Sequence, residues 1–482
     1  MRTTFVTLIC GFIGLGGVTA AVAQEVIDLG AGRALFVDDH LIGAMEGATL
    51  KLHEPQPAGM ALLFDNAWEG RYSGYVTVFH DEDRYRMYYR GLPTAGKDGS
   101  DSEVTCYAES DDGIHWTKPV LGLHVVDGFR ENNVVLAGMA PYSHNFAPFR
   151  DSRPGVPEDA RYKAIAGTSN TGLVAFASAD GLNWRKLRDE PIITEGAFDS
   201  QNVAFWSEHE QRYVCYFRTW SEGGYAGIRT VSRSTSTDFL EWSAPEAMDF
   251  GGTPMEHLYT NQTTPYYRAP NMYVAIAARF MPGRRVATVE EAAQFGGEAG
   301  YSGDCSDAVL ITSRGGNRYT RTFMEGFIRP GIGLENWTSR TNYPAWGIVP
   351  TGDEAMSLYV QHQYGQPAHG LQRYTLRPDG FVSVNAPYAG GELVTKPFTF
   401  SGTTLLLNYA TSAAGYVKVE IQDAAGTPIA GHALADATEI IGNFVERPAA
   451  WASTSDVGAL ADSPIRLRFV MKDADLYSLR FE

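Results

Sequence analysis

Three carboxylates in this chain stand just ahead of alternating apolar runs: Glu69, Asp199 and Glu256. Two more such runs are headed by Ser143-His144-Asn145 and Arg340-Thr341-Asn342. The second run after Glu69, Asp199 and Glu256 ends on Arg90, Arg218 and Arg279, and the second run after Arg340-Thr341-Asn342 ends on His362. If the runs share one polarity, all these side chains reach one cleft. Carboxylates facing each other across a cleft suit glycosidic cleavage, in which one acid protonates the leaving oxygen while another activates water or attacks carbon. Arginines beside them would hold the carboxylates charged and could take an anionic group on a sugar. Gln201, Asn202, His257, Tyr259 and Asn261 add the hydrogen-bonding and stacking groups that sugars need. Asp39, in Leu35-Phe36-Val37-Asp38-Asp39-His40, rivals Glu69 as the first acid, and Asp307 reaches the cleft rim.

An internal repeat must position these groups. Ser110-Asp111-Asp112-Gly113-Ile114-His115-Trp116, Ser178-Ala179-Asp180-Gly181-Leu182-Asn183-Trp184 and Ser236-Thr237-Asp238-Phe239-Leu240-Glu241-Trp242 share one box, S-x-D-x-x-x-W. Degenerate copies lie at Ser313–Tyr319 and Arg377–Phe381. A polar turn followed by an aromatic anchor suits a tight hairpin, so Asp112, Asp180 and Asp238 read as turn residues. Each box closes a series of strand patterns, such as GYVTVFHD, RYRMYYRG, VTCYAES and HWTKP in the first copy. In the fifth copy the fourth pattern is FVSVNA. Five four-stranded units predict an all-β, five-bladed β-propeller over 57–387. Residues 24–56 form a strand or cover segment, and the patterns over 388–482 predict a C-terminal β-sandwich. A long insertion between Met281 and Ser306 is expected to form a mobile rim over the cleft, with glycines as hinges.

Composition fits this architecture and removes others. Among 482 residues, 51 glycines, 25 tyrosines and 24 phenylalanines favour turns and strands. A formal charge of −17 argues against a nucleic-acid partner. Residues 1–23, with Arg2, an apolar stretch and Ala21-Val22-Ala23, read as a signal peptide that sends the protein to the periplasm or outside the cell. No later stretch has the roughly 18 apolar residues of a membrane span. The four cysteines show no CxxC spacing, so neither a zinc site nor a disulfide framework is expected. No cofactor is expected, although an Asp/Asn/Gln-lined mouth would suit a structural calcium. Oligomeric state is not legible.

The blade count, the sandwich and the acid positions resemble glycoside hydrolase families 32 and 43. The resemblance implies an essential acid on blade one, a transition-state-stabilising Asp on blade three, matched by Asp199, and a proton-donating Glu on blade four, matched by Glu256. The Asn-Asp-Pro triplet of those families is absent from blade one, where only Glu69 stands. Two other classes fit the same pattern. A non-catalytic carbohydrate-binding propeller would keep the aromatics and arginines without needing the acid pair. A sialidase-like enzyme shares the boxes, but that resemblance implies six blades and a Tyr–Glu pair.

Overall fold

A computed structural model describes residues 26–452 and 454–482; the expected signal peptide lies outside the described residues. The chain is all-β apart from short helical turns, and it forms a five-bladed propeller joined to a ten-stranded C-terminal sheet assembly. Blade one comprises Gly74–Asp81, Arg84–Gly91, Val104–Ser110 and Val134–Leu136, paired antiparallel in that order. Its fourth strand therefore lies downstream of the expected His115-Trp116 segment, which makes only an isolated bridge at Thr117. Blades two and three follow the same order, from Ala147–Arg150 to Arg185–Lys186 and from Val203–Ser207 to Glu246–Ala247. In blade four the long strand Ala269–Met281 carries both halves of a broken inner strand, Leu258–Thr260 and Thr263–Tyr266, on one side and Cys305–Ser313 on the other.

Blade five departs from the sequence reading. Its outer strand is Gln56–Leu63, from the N-terminal side of the propeller, paired with Gly370–Leu376. The FVSVNA segment, Val382–Ala386, instead pairs with Thr49–Leu52 and Ile465–Phe481 in the C-terminal sheet. Pairing the two ends of the repeat closes the ring and removes an exposed edge. The inner strands close it too: Val78 N donates to Trp346 O and Trp346 N to Val76 O, each at 2.8 Å. The N-terminal strands Ile27–Asp28, Arg33–Leu35, Ile42–Glu46 and Thr49–Leu52 all join the C-terminal sheet. Its core includes Phe36, Phe398, Trp451 and a stacked Phe400–Phe481 pair with centroids 3.8 Å apart.

The three boxes are turns. In each, the serine hydroxyl accepts the amide three residues on, and the aspartate takes two further amides at 2.7–2.9 Å. That amide belongs to Gly113 and Gly181, both at positive φ, and in the third copy to Phe239 at φ 73°. Only glycine takes this conformation freely. Phe239 is buried against Phe149, Tyr213 and Trp242, and that packing offsets its backbone strain.

Amides tie the blades together at the axis. Gln201 Nε2 donates to Val76 O and Thr77 Oγ1, while Gln262 Nε2 donates to Gln201 Oε1 and Pro344 O. Asn145 donates to Gly167 O, Phe198 O and Ser200 O, and Asn202 reaches the last two as well. Such a buried network fixes where the residue between them, Asp199, must point.

Candidate active site

A propeller inner strand starts on the face where the second strand ends and the third begins. That face carries a pit lined by tyrosines and arginines. Tyr75, at φ 51° near the start of the first inner strand, lies 4.6 Å below the Arg90 guanidinium, and its hydroxyl donates to Asp199 O. Arg218, from blade three, pairs with the Asp199 carboxylate and stands 5.0 Å over the Tyr259 ring. Arg340 sits 5.4–5.9 Å from the rings of Tyr259, Tyr301 and Tyr364. Arg229, which heads the third strand of blade three, lies over Trp220, Tyr259 and Phe280. His144 is buried beside Arg90, with Nδ1 3.0 Å from Glu103 Oε1. Asp98, exposed on the loop between Gly91 and Val104, lines the pit with Arg90, Arg340, Tyr343 and Gln361.

Two carboxylates here are in opposite surroundings. Asp199 is engaged by Arg218, while Asp304, just before the third strand of blade four, has a buried Oδ1 without a partner. Burial pushes the Asp304 carboxyl above its ordinary range, against the opposing pull of the Ser339 hydroxyl, Arg340 and Arg229. Both carboxylates act on a common neighbour, Arg229, which burial and then the adjacent Arg218 hold below its usual value.

Over the pit lies the blade-four insertion, and it is docked rather than free. Thr288 and Glu291 form a capping box on the helix Val289–Gln294. Beyond it, Glu298 accepts the Tyr72 hydroxyl, and Tyr301 packs against Tyr72 and Tyr364 from blades one and five. The pit beneath has about 10 Å³ of free space, the room of roughly one water molecule.

Other expected site residues lie elsewhere. Glu69 is sealed away, bound by Tyr89 Oη, Asn66 N and Lys118 Nζ, so it offers no oxygen to the mouth. Asp39 is exposed beside the C-terminal sheet, where its carbonyl accepts Lys396 Nζ. Glu256 has both carboxylate oxygens on guanidiniums, Oε1 on Arg279 and Oε2 on Arg321. With neither oxygen turned to a ligand, it does not stand as the expected proton donor. Arg279 in turn grips Asp307, its cross-strand partner, through Nε and Nη2. Glu256, Arg279 and Asp307 line a separate rim pocket of about 610 Å³ with Trp337 and Arg329. This is the roomier cavity, but the carboxylates of Glu256 and Asp307 are already matched by guanidiniums. His362 is buried between Asn336 and Tyr374, and His257 accepts the Arg229 amide on Nδ1. Asn145, Gln201 and Asn202 are spent on backbone and axis bonds, and Asn261 on the Thr263 amide. Among the described residues no three His, Cys, Asp or Glu side chains converge as a metal site requires, and Cys106, Cys215 and Cys305 are free and buried.

Of the residues named from the sequence, the structure gathers Asp199, Arg90, Arg218, Arg340, Tyr259 and His144 in and around the pit; Tyr75, Asp98 and Tyr343 line it as well, and Arg229 and Asp304 stand beside it, none of them named as site residues from the sequence. The signal was available, since Arg229 and Asp304 head third strands and share the same face.

No family model matches the chain, and no curated protein matches it. Solved structures do. The GH32 β-fructofuranosidase BmSUC1 of Bombyx mori is 10% identical, over 88% of this chain and 94% of that one, with a TM-score of 0.43. An N-acetylgalactosamine deacetylase from F. plautii, in complex with blood group B trisaccharide, is 14% identical over 68% and 94%, also at 0.43. A structure described under the GH130 mannoside phosphorylases and glycoside hydrolases that target β-1,2 mannosidic linkages in Candida mannan is 16% identical over 71% and 96%, at 0.40. Likeness at this level leaves the chemistry to be argued from the side chains of the pit.

Proposed function

We propose that the protein is a glycoside hydrolase, working in the periplasm or outside the cell, that cleaves a poly- or oligosaccharide at the axial pit. The observation that carries this reading is the pair Asp304 and Asp199 around Arg229, one carboxyl unpaired and raised, the other held by a guanidinium. Carboxyls with environments of opposite sense are how one site supplies both a proton donor and a fixed negative charge. Asp304 donates the proton to the leaving oxygen. Asp199 faces the positive charge that develops at the anomeric carbon, and Asp98, exposed on the rim, accepts a proton from the attacking water. Tyr75, Tyr259 and Tyr364 offer ring faces and hydroxyls to the sugar. Because the pit is nearly filled, the insertion lifts to admit the chain end.

Reducing-sugar release from a panel of polysaccharides tests the reading, with Asp304→Asn and Asp199→Asn run in parallel. Release by the wild type that both variants abolish, with folding intact, supports it. Saturable sugar binding without any release would instead favour a non-catalytic carbohydrate-binding propeller.

A further inference from the structure

Four guanidiniums gather at the pit, Arg90 and Arg340 lining it and Arg218 and Arg229 beside it over Tyr259, and they are poorly matched by carboxylates. Among the described residues only Arg218 has a carboxylate within 4 Å, that of Asp199; Arg90, Arg229 and Arg340 have none. Arg218 is 3% exposed, yet its Nε and Nη1 are buried without a hydrogen-bond partner. Arg90 Nε and Arg229 Nε are also unpaired, as are the Nε atoms of Arg33, Arg161, Arg188, Arg321 and Arg480, but among the described residues only Arg218 leaves an Nη buried and unpaired too. Arg340 meets rings instead of acceptors, and its backbone is held at φ 59°, in a region a side-chain-bearing residue rarely occupies.

Buried donors left unpaired are costly, and more so when charged, and Arg218, unpaired on Nη1 as well as Nε, is where a ligand or water would gain most. The nearby acids do not fill that place. Asp98 is exposed on its loop, Glu103 is committed to His144 and the Gly99 amide, and Asp304 presents an oxygen that no donor reaches. The contrast with the rest of the molecule is sharp, because a chain of net charge −17 concentrates cations at its axis.

We propose that this pit recognises a sugar through an anionic substituent, a carboxylate or a sulfate ester, with Arg218 and Arg340 as the principal donors. Planar guanidiniums suit both oxyanions, since each presents parallel N–H groups to paired oxygens. The tyrosine rings around Arg340 would pack the sugar face next to the charge. This identifies the substrate class for the site proposed above and rests on that site being the binding site, but it does not require cleavage.

Thermal melting of the full mature chain tests it, at constant ionic strength set with chloride. The probes are glucuronate, glucose 6-sulfate and inorganic sulfate, with glucose and methyl glucuronate ester as neutral partners. Binding at about ten times Kd should raise Tm by roughly 1–2 °C. The expected result is a rise with at least one anionic probe, no rise with its neutral partner, and loss of the rise in Arg340→Gln. Glucuronate acting alone would identify the carboxylate, and the two sulfates acting alone would identify the sulfate ester. A chain that melts identically in all probes and in chloride overturns the proposal, as does an equal response to neutral and anionic sugars. Those wild-type readings decide the matter even if Arg340→Gln fails to fold. Release of neutral oligosaccharides without anion preference would defeat this inference and leave the hydrolase reading standing. Anion-selective binding with no cleavage of any polysaccharide would do the reverse.

Discussion

The axial pit and the rim pocket are built from the same two side-chain types and differ in how completely these satisfy one another. At the rim, Glu256 lies between Arg279 and Arg321, and Arg279 also grips Asp307. Glu256 and Asp307 each have a guanidinium, while Glu325 and Arg284, which also line that pocket, have no ion pair within 4 Å among the described residues. At the axis, three guanidiniums lack a carboxylate and Asp304 has an oxygen without a donor. Charges that neutralise each other hold strands together, whereas charges left open in a sealed place are kept for something else. Cavity volume points the other way, towards the rim, because the docked insertion fills the pit. Chemistry is the better guide here, since a lid can move and a saturated ion pair has nothing to offer until it is broken.

The sharpest way to break this comparison is to exchange the two acids as targets. Asp304→Asn should lower kcat by at least ~10²-fold, the low end for a general acid, while Tm stays within a degree or two. Substrates with a nitrophenolate leaving group should lose less, because that group departs without a proton. Glu256→Gln should leave kcat within a few-fold. If Glu256→Gln is the variant that kills turnover, the assignment of pit and rim is reversed.

A sealed expected site residue sharpens the comparison through pH. Burial, and then the nearby His369, lower His362 to about 4 from an ordinary value near 6.5. The unfolded chain therefore binds this proton at higher pH than the folded chain does. Stability from His362 is complete above pH 6.5 and falls as pH drops towards 4, by up to about 3 kcal/mol. Urea melts at pH 7 and pH 4 should show that loss, and His362→Gln should reduce it by roughly half, because burial lowers His369 to about 4 as well. A variant with the same slope as wild type would mean the ring already carries its proton in the fold.

Glu256→Gln, quiet in turnover, should register in stability. Arg321 is buried and would keep one neutral acceptor in place of a carboxylate oxygen. Because Glu256 is itself partly exposed, solvent screening reduces the loss, and about 1–2 kcal/mol is expected in denaturant titrations. No loss at all would undercut the view that the rim charges serve packing.

The blades were legible in the sequence because the turn chemistry repeats: Ser110, Ser178 and Ser236 each need their aspartate two residues on, and the pattern survives every loop difference around it. The closure of blade five was not legible. FVSVNA alternates as a fourth strand should, and so does Gln56–Leu63 in part; which of them pairs with Gly370–Leu376 is decided by tertiary packing that neither segment encodes alone. Asp199 and Arg218 were found because strand starts and ends were read as one face. Arg229 escaped because the third-strand start of blade three was left out of that reading, and where the insertion rejoins the third strand of blade four Asp307 was taken in place of Asp304. Glu69 and Glu256 misled because spacing fixes which strand end carries a residue, and it is silent about whether a lysine or arginine from the next loop has already claimed the charge, as Lys118 and Arg321 do.

The smallest expected effect lies at the join between the regions, in the latch of the insertion. Tyr72 Oη donates to Glu298, with Arg71 4.0 Å from the same carboxylate. Burial first, and then Glu298, push the Tyr72 hydroxyl well above its ordinary value, so it keeps its proton and remains a donor throughout the working pH range. Glu298 is half exposed, so water competes for it, and the net contribution of the bond is about 0.5–1.5 kcal/mol. Tyr72→Phe removes the donor and keeps the ring that packs on Tyr301 and Tyr364. The ratio of open to closed insertion should then rise by roughly 2–10-fold, without loss of global stability beyond the same small amount. Hydrogen exchange of residues 286–300 reads this directly, and faster exchange confined to that segment is the expected outcome. Since opening precedes substrate entry, KM should fall or hold while kcat is unchanged. Unaltered exchange would mean that Tyr301, wedged between two tyrosine rings, is the true fastening, and that the insertion belongs with the saturated parts of the molecule rather than with its moving ones.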